Sequence, residues 1–168
     1  MIVQDPGQRL ELAKIYRKAF EVYRDLPVSV HAAAEKSHGV QREQFERIVD
    51  SASYLAENLE RVPVLVIPCF EGRVDLAVPG LSQVMQATSY ASIMPAAWSF
   101  MLAGRLFGLG SALTTMHLLR EQETAQVLGI PYERVSQACL LAVAHTKGES
   151  FKPAPRKPVD EVIHVDDW

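Results

Sequence analysis

The chain has 168 residues, a formal net charge of −3, and 48% apolar and 22% charged residues. This length predicts one domain over residues 1–168 with a sizeable core, and the acidic balance disfavours general nucleic-acid binding, which requires a basic face. No apolar run approaches the roughly 18 residues of a membrane span, and the N-terminus lacks the pattern of a secretory signal.

The first half of the chain predicts a short strand followed by helices. Met1–Gln4 is apolar and strand-like. Asp5 with Pro6 favours a helix start, because aspartate caps free amides and proline suits the first helical position. Helical spacing continues towards Pro27, and a short Ala-rich helix follows. Gln41–Arg61 carries one clear apolar stripe and predicts an amphipathic helix.

The second half alternates apolar strands with helices. Val64–Phe70 is a short β-branched run, typical of a strand buried on both faces, and Val135–His145 predicts a second interior strand. Ser82–Phe107 is apolar nearly all round, which predicts a long, buried central helix. Pro95 inside it predicts a kink or a later helix start, and Glu121–Leu128 predicts a short helix. The order of elements indicates an α+β or α/β domain.

Histidine and cysteine spacing gives no sign of a metal site or of a catalytic nucleophile. The five histidines form neither HxxxH nor HExxH, and no GxSxG nucleophile elbow is present. Cys69 and Cys139 lie far apart in apolar surroundings. Two free, buried thiols of a cytoplasmic protein are therefore favoured over a disulfide.

The stretch GRLFGLGSALTT, Gly104–Thr115, is a candidate ligand-binding segment. It runs from a helix into a strand, and Leu113 stands where a GxGxxG motif beginning at Gly108 needs its third glycine. It therefore does not match a dinucleotide-binding loop, which follows a strand and opens a helix. Two interpretations stay open. The glycines form a plain helix C-cap, or Leu113, Thr114 and Thr115 present backbone amides and small side chains to a flat ligand.

The segment from His145 to Pro158 concentrates positive charge in an acidic chain. Its basic residues, opposed by Glu149 alone, are Lys147, Lys152, Arg156 and Lys157. Such a run is typical of a local anion site or of a solvated basic tail.

Three stretches in order, YASIMPAAWSFMLAGRLFGLGSALTT, VLGIP and QACLLAVAHTKGESFKPAPRKPVDEVIHVDDW, resemble the nitroreductase family, whose members are flavin-dependent α+β homodimers. The resemblance extends over the whole chain, although no single motif in it is highly specific. It implies a mixed sheet flanked by helices with a long buried central helix. It also implies FMN as cofactor, NADH or NADPH as reductant, and a nitroaromatic, quinone or similar small molecule as electron acceptor, with no nucleic-acid or membrane partner.

The resemblance also assigns roles to individual residues. Leu113–Met116 would pack on the flavin ring, with a main-chain amide near the ring nitrogen that receives hydride, and Arg156 would bind the FMN phosphate, as a guanidinium suits a dianion. The flavin carries the chemistry, so no catalytic side chain is implied. The full set of implied cofactor-binding residues is Leu113, Thr114, Thr115, Met116, Arg156, Ser92, Met94 and Pro95.

The tail, about residues 151–168, resembles the family's C-terminal arm, which joins the partner subunit's sheet as an added strand. The alternative is an edge strand of its own subunit. Met1–Pro6 resembles the strand that follows an N-terminal flavin-binding turn of the SxNxQPW type, so we expect an N-terminally truncated version of the fold.

Three functional hypotheses follow from this resemblance. The first is an FMN-dependent NAD(P)H oxidoreductase. The second is a truncated, flavin-free dimeric relative without redox activity. The third is a flavin enzyme of the same fold with other chemistry, such as reductive dehalogenation.

Overall fold

A computed structural model describes residues 1–75, 80–148 and 155–168. It contains five helices, six strands and three 3₁₀ turns within that part of the chain. The helices are α1 (Pro6–Arg24), α2 (Val30–Lys36), α3 (Gly39–Asn58), α4 (Ser82–Arg105) and α5 (Glu121–Leu128). The strands are β1 (Ile2–Val3), β2 (Val64–Val66), β3 (Cys69–Glu71), β4 (Leu109–Thr114), β5 (Val135–Gln137) and β6 (Leu140–His145). The 3₁₀ turns are Leu59–Arg61, Met116–Arg120 and Val159–Glu161.

Four strands form the main sheet in the order β1-β2-β6-β4, and β3 pairs with β5 in a separate ribbon. The α+β fold is thus confirmed. The expected mixed sheet pairs its described strands antiparallel throughout, and the parallel pairing that the structure shows is an isolated bridge between Gly72 and Val135.

The two predicted interior strands are each divided into two. Val64–Phe70 breaks between β2 and β3, and Val135–His145 breaks opposite it, between β5 and β6. Pro68 lies at the first break, and a proline has no N–H to donate to a strand partner. Its carbonyl instead accepts from the Ala138 N–H at 2.9 Å. Each of the two segments therefore contributes one strand to the main sheet and one to the ribbon, and the two breaks lie opposite each other.

Helices cover both faces of the sheet. Because successive strand residues point to opposite faces, Leu140 and Ala142 pack with α1, α3 and α5, while Leu141 and Val143 pack with α4. The predicted start of α1 is confirmed, since the Asp5 side chain accepts from the Gln8 N–H at 2.8 Å and Pro6 is the first helical residue.

The burial predicted for the central helix is wrong for the single chain. In α4, Ala97 is the one residue classed as buried, and Leu106, just past the helix, is 86% exposed. The physical reason is that one face of α4 packs on the sheet and no described element covers the opposite face. Pro95 lies inside the helix rather than at its start.

The described tail, residues 155–168, is exposed along its length and forms a 3₁₀ turn but no strand. An edge strand within its own subunit is therefore wrong for these residues, and residues 151–154 of the predicted arm lie outside the described part. Cys69 and Cys139 are free thiols, as predicted, although Cys69 is only partly buried. Among the helices described, none has the length and apolar character to cross a membrane.

Candidate functional site

Strand β4 has an open edge. It pairs with β6 on one side and with no other strand that the structure describes. The Thr146 N–H donates to the Gly108 carbonyl at 3.3 Å, which sets the hydrogen-bonded register of this antiparallel pair. In such a ladder alternate residues bond to the partner and the others point away from it. The residues whose backbone groups face the open edge are Leu109, Ser111 and Leu113.

The predicted flavin-contact segment divides into two exposed and two anchored residues. Leu113 is 40% exposed on the α4 side of the sheet, and Thr115 is exposed just beyond the strand. Thr114 faces the other way, where its Oγ1 lies 2.9 Å from the Tyr16 hydroxyl of α1. Met116 packs against the core on that same side. Only Leu113 and Thr115 therefore present side chains to a ligand.

Two glycines shape the entry to this strand. Gly108 has φ of +70°, the left-handed conformation that ends a helix, so the helix-cap interpretation accounts for it. Gly110 lies so close to β6 that an added Cβ would be 2.6 Å from Thr146 Cγ2. The predicted order of helix, glycines and strand is confirmed. Gly108 allows the left-handed turn after the helix, and Gly110 leaves room for the Thr146 side chain.

The helix residues implied as ligand contacts do not share one surface. Met94 packs with Val143 against the sheet, whereas Ser92 and Pro95 are exposed. At 100° per residue, Ser92 and Pro95 lie on the face of α4 turned away from the sheet. A single ligand on this chain would contact either Met94 or the other two.

Arg156 lies in the exposed tail. Its Nη1 donates to the Pro155 carbonyl at 3.1 Å, and no hydrogen bond or ion pair within the described residues ties it to β4. The structure leaves this guanidinium accessible but does not bring it together with the Leu113–Met116 segment.

A buried ion-pair network lies next to α5 and was not predicted from the sequence. Arg73 is 5% exposed and Glu121 is 15% exposed, and their closest atoms, Nη2 and Oε2, are 2.9 Å apart. Arg73 also binds both carboxylate oxygens of Asp75 and stacks on the Tyr132 ring, with its Cζ 4.0 Å from the ring centroid. The hydrogen bond to Asp75, followed by that to Glu121, raises the pKa of Arg73 above its usual range.

This network joins three segments. The Glu121 carboxylate accepts from the backbone N–H of Gln137 at 2.7 Å, and Arg73 donates to the Val135 carbonyl at 3.1 Å. It therefore fixes the loop after β3 to the start of α5 and to β5. Gln137 inside an apolar run was the one sequence signal that could have indicated a buried polar cluster here.

His117, in the 3₁₀ turn that follows β4, was also missed. It is 1% exposed, and neither ring nitrogen has a hydrogen-bond partner among the described residues. Burial lowers the pKa of this imidazole from 6.5 to about 4, so the ring is neutral at pH 7. At pH 7 it therefore offers no charge to a ligand.

Comparisons with known proteins support one family. The sequence model of the nitroreductase family matches residues 1–145. No curated protein is a significant sequence match.

Among solved structures, a BluB-like flavoprotein from Clostridium difficile 630 is similar with a TM-score of 0.61 and 16% identity, over 98% of this chain and 77% of that one. An iodotyrosine deiodinase bound to FMN and 3-iodo-L-tyrosine has a TM-score of 0.57 and 19% identity, over 100% of this chain and 74% of that one. A mutant of the FMN- and NADPH-dependent nitroreductase NfnB from Sphigopyxis sp. strain HMH has a TM-score of 0.59 and 15% identity, over 100% of this chain and 78% of that one. At these identities the similarity establishes the fold.

Proposed function

Because the chain belongs to the nitroreductase family, we propose that it is an FMN-dependent NAD(P)H oxidoreductase that reduces nitroaromatic, quinone or similar small acceptors. The observation that carries this proposal is the open end of β4, where exposed Leu113 and Thr115 lie beside backbone groups that no described strand pairs. When bound, FMN supplies hydride acceptance from the nicotinamide and electron delivery to the acceptor. Similar structures that bind FMN add support.

The residues present fit such a cofactor. A flavin ring needs an apolar floor and a few fixed hydrogen-bonding groups. Leu113 offers the apolar surface, and its N–H and C=O face outward. Arg156 offers a planar set of donors suited to a phosphate, and its side chain is exposed.

Neither buried titratable side chain beside this segment is suited to move a proton to a substrate. Burial keeps His117 neutral and away from solvent. Burial also raises the pKa of Tyr16, partly offset by its bond to Thr114, so that this phenol stays protonated at neutral pH. The proposal accordingly assigns no catalytic acid or base to these groups.

FMN affinity tests the proposal directly. We expect the purified chain to bind FMN, and Arg156→Ala to weaken binding by about 10- to 150-fold, the equivalent of ~1.5–3 kcal/mol for a charged hydrogen-bonding partner. Flavin fluorescence titration measures both. Arg47→Ala, which removes an exposed arginine from α3, should leave the affinity unchanged.

A folded wild-type chain that leaves FMN unbound would contradict the proposal and would favour the flavin-free relative. Equal losses in Arg156→Ala and Arg47→Ala would show that general charge, rather than a phosphate contact, drives binding. Turnover of NADH or NADPH with a nitroaromatic or a quinone then identifies the reductant and acceptor.

A homodimer is part of the proposal, supported by the uncovered face of α4. Apolar side chains exposed on or just after this helix are Val84, Met85, Trp98, Phe100, Leu102, Leu106 and Phe107. An apolar cavity of about 250 Å³ lies beside them, between the end of α4 and β4. Phe100 and Phe107 line this cavity, and Leu102 and Leu106 are one helical turn apart; apolar surface grouped in this way is typical of an interaction site. The exposed C-terminal arm would add to the partner's sheet, and the free thiols support a cytoplasmic location.

Charge placed on this face should prevent dimerisation. We expect Leu102→Glu to convert the dimer to a monomer in light scattering, because an unpaired carboxylate would be buried in the interface. Val40→Glu is the matched control, since Val40 is an exposed valine on α3. If Leu102→Glu remained dimeric, the interface would lie elsewhere.

A further inference from the structure

One hydrogen bond connects the first long helix to the end of β4. The Tyr16 hydroxyl lies 2.9 Å from Thr114 Oγ1 across 98 positions of sequence. Tyr16 is 2% exposed and is surrounded by the core of the α1 side, which includes Leu12 and Phe20. Phenylalanine would fill the same space, so packing alone does not explain a tyrosine here.

The same Thr114 hydroxyl also forms a hydrogen bond within the turn that follows the strand. Its Oγ1 also accepts from the backbone N–H of Met116 at 3.4 Å. Thr115, between them, leaves the strand conformation with φ of −124° and ψ of 3°. The turn at residues 114–116 is therefore fixed from the α1 side, while Leu113 and Thr115 remain exposed.

We propose that Tyr16 is a positioning residue of the flavin site, acting through Thr114 to fix the orientation in which Leu113 and Thr115 meet the ring. This inference rests on the proposed function. Tyr16 is buried below the strand and does not contact the ligand itself. Its effect is to reduce the number of backbone arrangements available to the turn before the ligand binds, and such pre-organisation increases affinity.

The test compares Tyr16→Phe, Thr114→Val and the double variant with the wild type. Each single change removes one side of the hydrogen bond and keeps the side-chain shape. We expect each to weaken FMN binding about 3- to 10-fold, the range of one hydrogen bond, and to shift the flavin absorption spectrum and midpoint potential. Thr114→Val removes the bond to Tyr16 and also the one from the Met116 N–H, so the double variant should bind FMN no more weakly than Thr114→Val alone.

Tyr23→Phe is the matched control on the same helix. The Tyr23 hydroxyl accepts from the Val30 N–H at 2.9 Å, so this variant also loses one hydrogen bond but leaves the turn intact. We expect it to lower stability while leaving FMN affinity, spectrum and potential as in the wild type. In flavin-free protein, Tyr16→Phe should accelerate amide exchange at Met116, and Tyr23→Phe should not.

Two results would overturn the positioning role. One is a wild type that binds FMN together with a Tyr16→Phe variant that matches it in affinity, spectrum and potential. The other is additive losses in the double variant, which would mean that the two residues act separately. A wild type that binds no FMN would refute the proposed function itself and, with it, a role towards flavin, and the exchange rates would then report a purely structural anchor.

Discussion

Replacing Arg73 with methionine is expected to lower the free energy of unfolding by about 3–5 kcal/mol, the range for removing one partner of a buried ion pair. The Glu121 carboxylate is 15% exposed and would lose its cationic partner. The change would also remove the hydrogen bond to the Val135 carbonyl and the stacking on Tyr132. Urea unfolding at pH 7 measures the loss as a lower midpoint at an unchanged slope.

Two further variants show whether the buried charge causes the loss. Arg73→Met combined with Glu121→Gln should regain much of the stability, because the remaining partner carboxylate, Asp75, is half exposed to solvent. Arg42→Met breaks an exposed pair with Glu46 and should leave the unfolding midpoint almost unchanged, because solvent screens such pairs. A double variant as unstable as Arg73→Met alone would assign the effect to lost packing instead.

Acidification should destabilise the fold through His117. The pKa of this histidine is about 4 in the folded chain and 6.5 for the free side chain, so the unfolded state binds the proton more readily. The contribution of His117 to stability is complete above pH 6.5 and is lost as the pH falls towards 4. The two pKa values differ by about 2.5, and each pKa unit corresponds to about 1.4 kcal/mol. The free energy of unfolding should therefore fall by about 3 kcal/mol.

His117→Leu tests this origin of acid sensitivity. It removes the titrating group and two buried nitrogens without partners among the described residues, so stability at pH 7 should change little. Between pH 6.5 and 4, the free energy of unfolding should fall by about 3 kcal/mol less in this variant than in the wild type. His38→Leu, at an exposed histidine, should keep the wild-type decline, and parallel profiles for all three proteins would refute the role of His117.

Local signals predicted the fold well where local chemistry decides it. The Asp5 cap and the left-handed Gly129 give the boundaries of α1 and α5 almost to the residue. Val64–Phe70 appeared as one strand because apolar content does not show that Pro68 lies where two segments leave one sheet for another. The apolar composition of α4 indicated burial, but composition does not say whether the cover comes from the same chain.

The candidate site was predictable only in part, because its supporting contacts are long-range. Leu113–Met116 was identified by resemblance, yet the alternation of strand side chains divides it into exposed and anchored residues. The sequence places Tyr16 on the apolar face of a helix, and only the fold shows that its hydroxyl lies next to Thr114. Arg73 and Glu121 are 48 positions apart, and no spacing rule connects them.

The position of β6 in the sheet has a consequence for synthesis of the chain. It lies between β2 and β4, yet residues 140–145 are made after the other strands that the structure describes. Until they leave the ribosome, β2 lacks its inner neighbour and β4 has no partner among the described strands. Unpaired strand edges readily join other chains, and pairing between distant segments forms slowly. Between the synthesis of β4 and that of β6, the nascent chain therefore exposes the inner edge of β2 and the β6-facing edge of β4, and β6 covers both when it pairs.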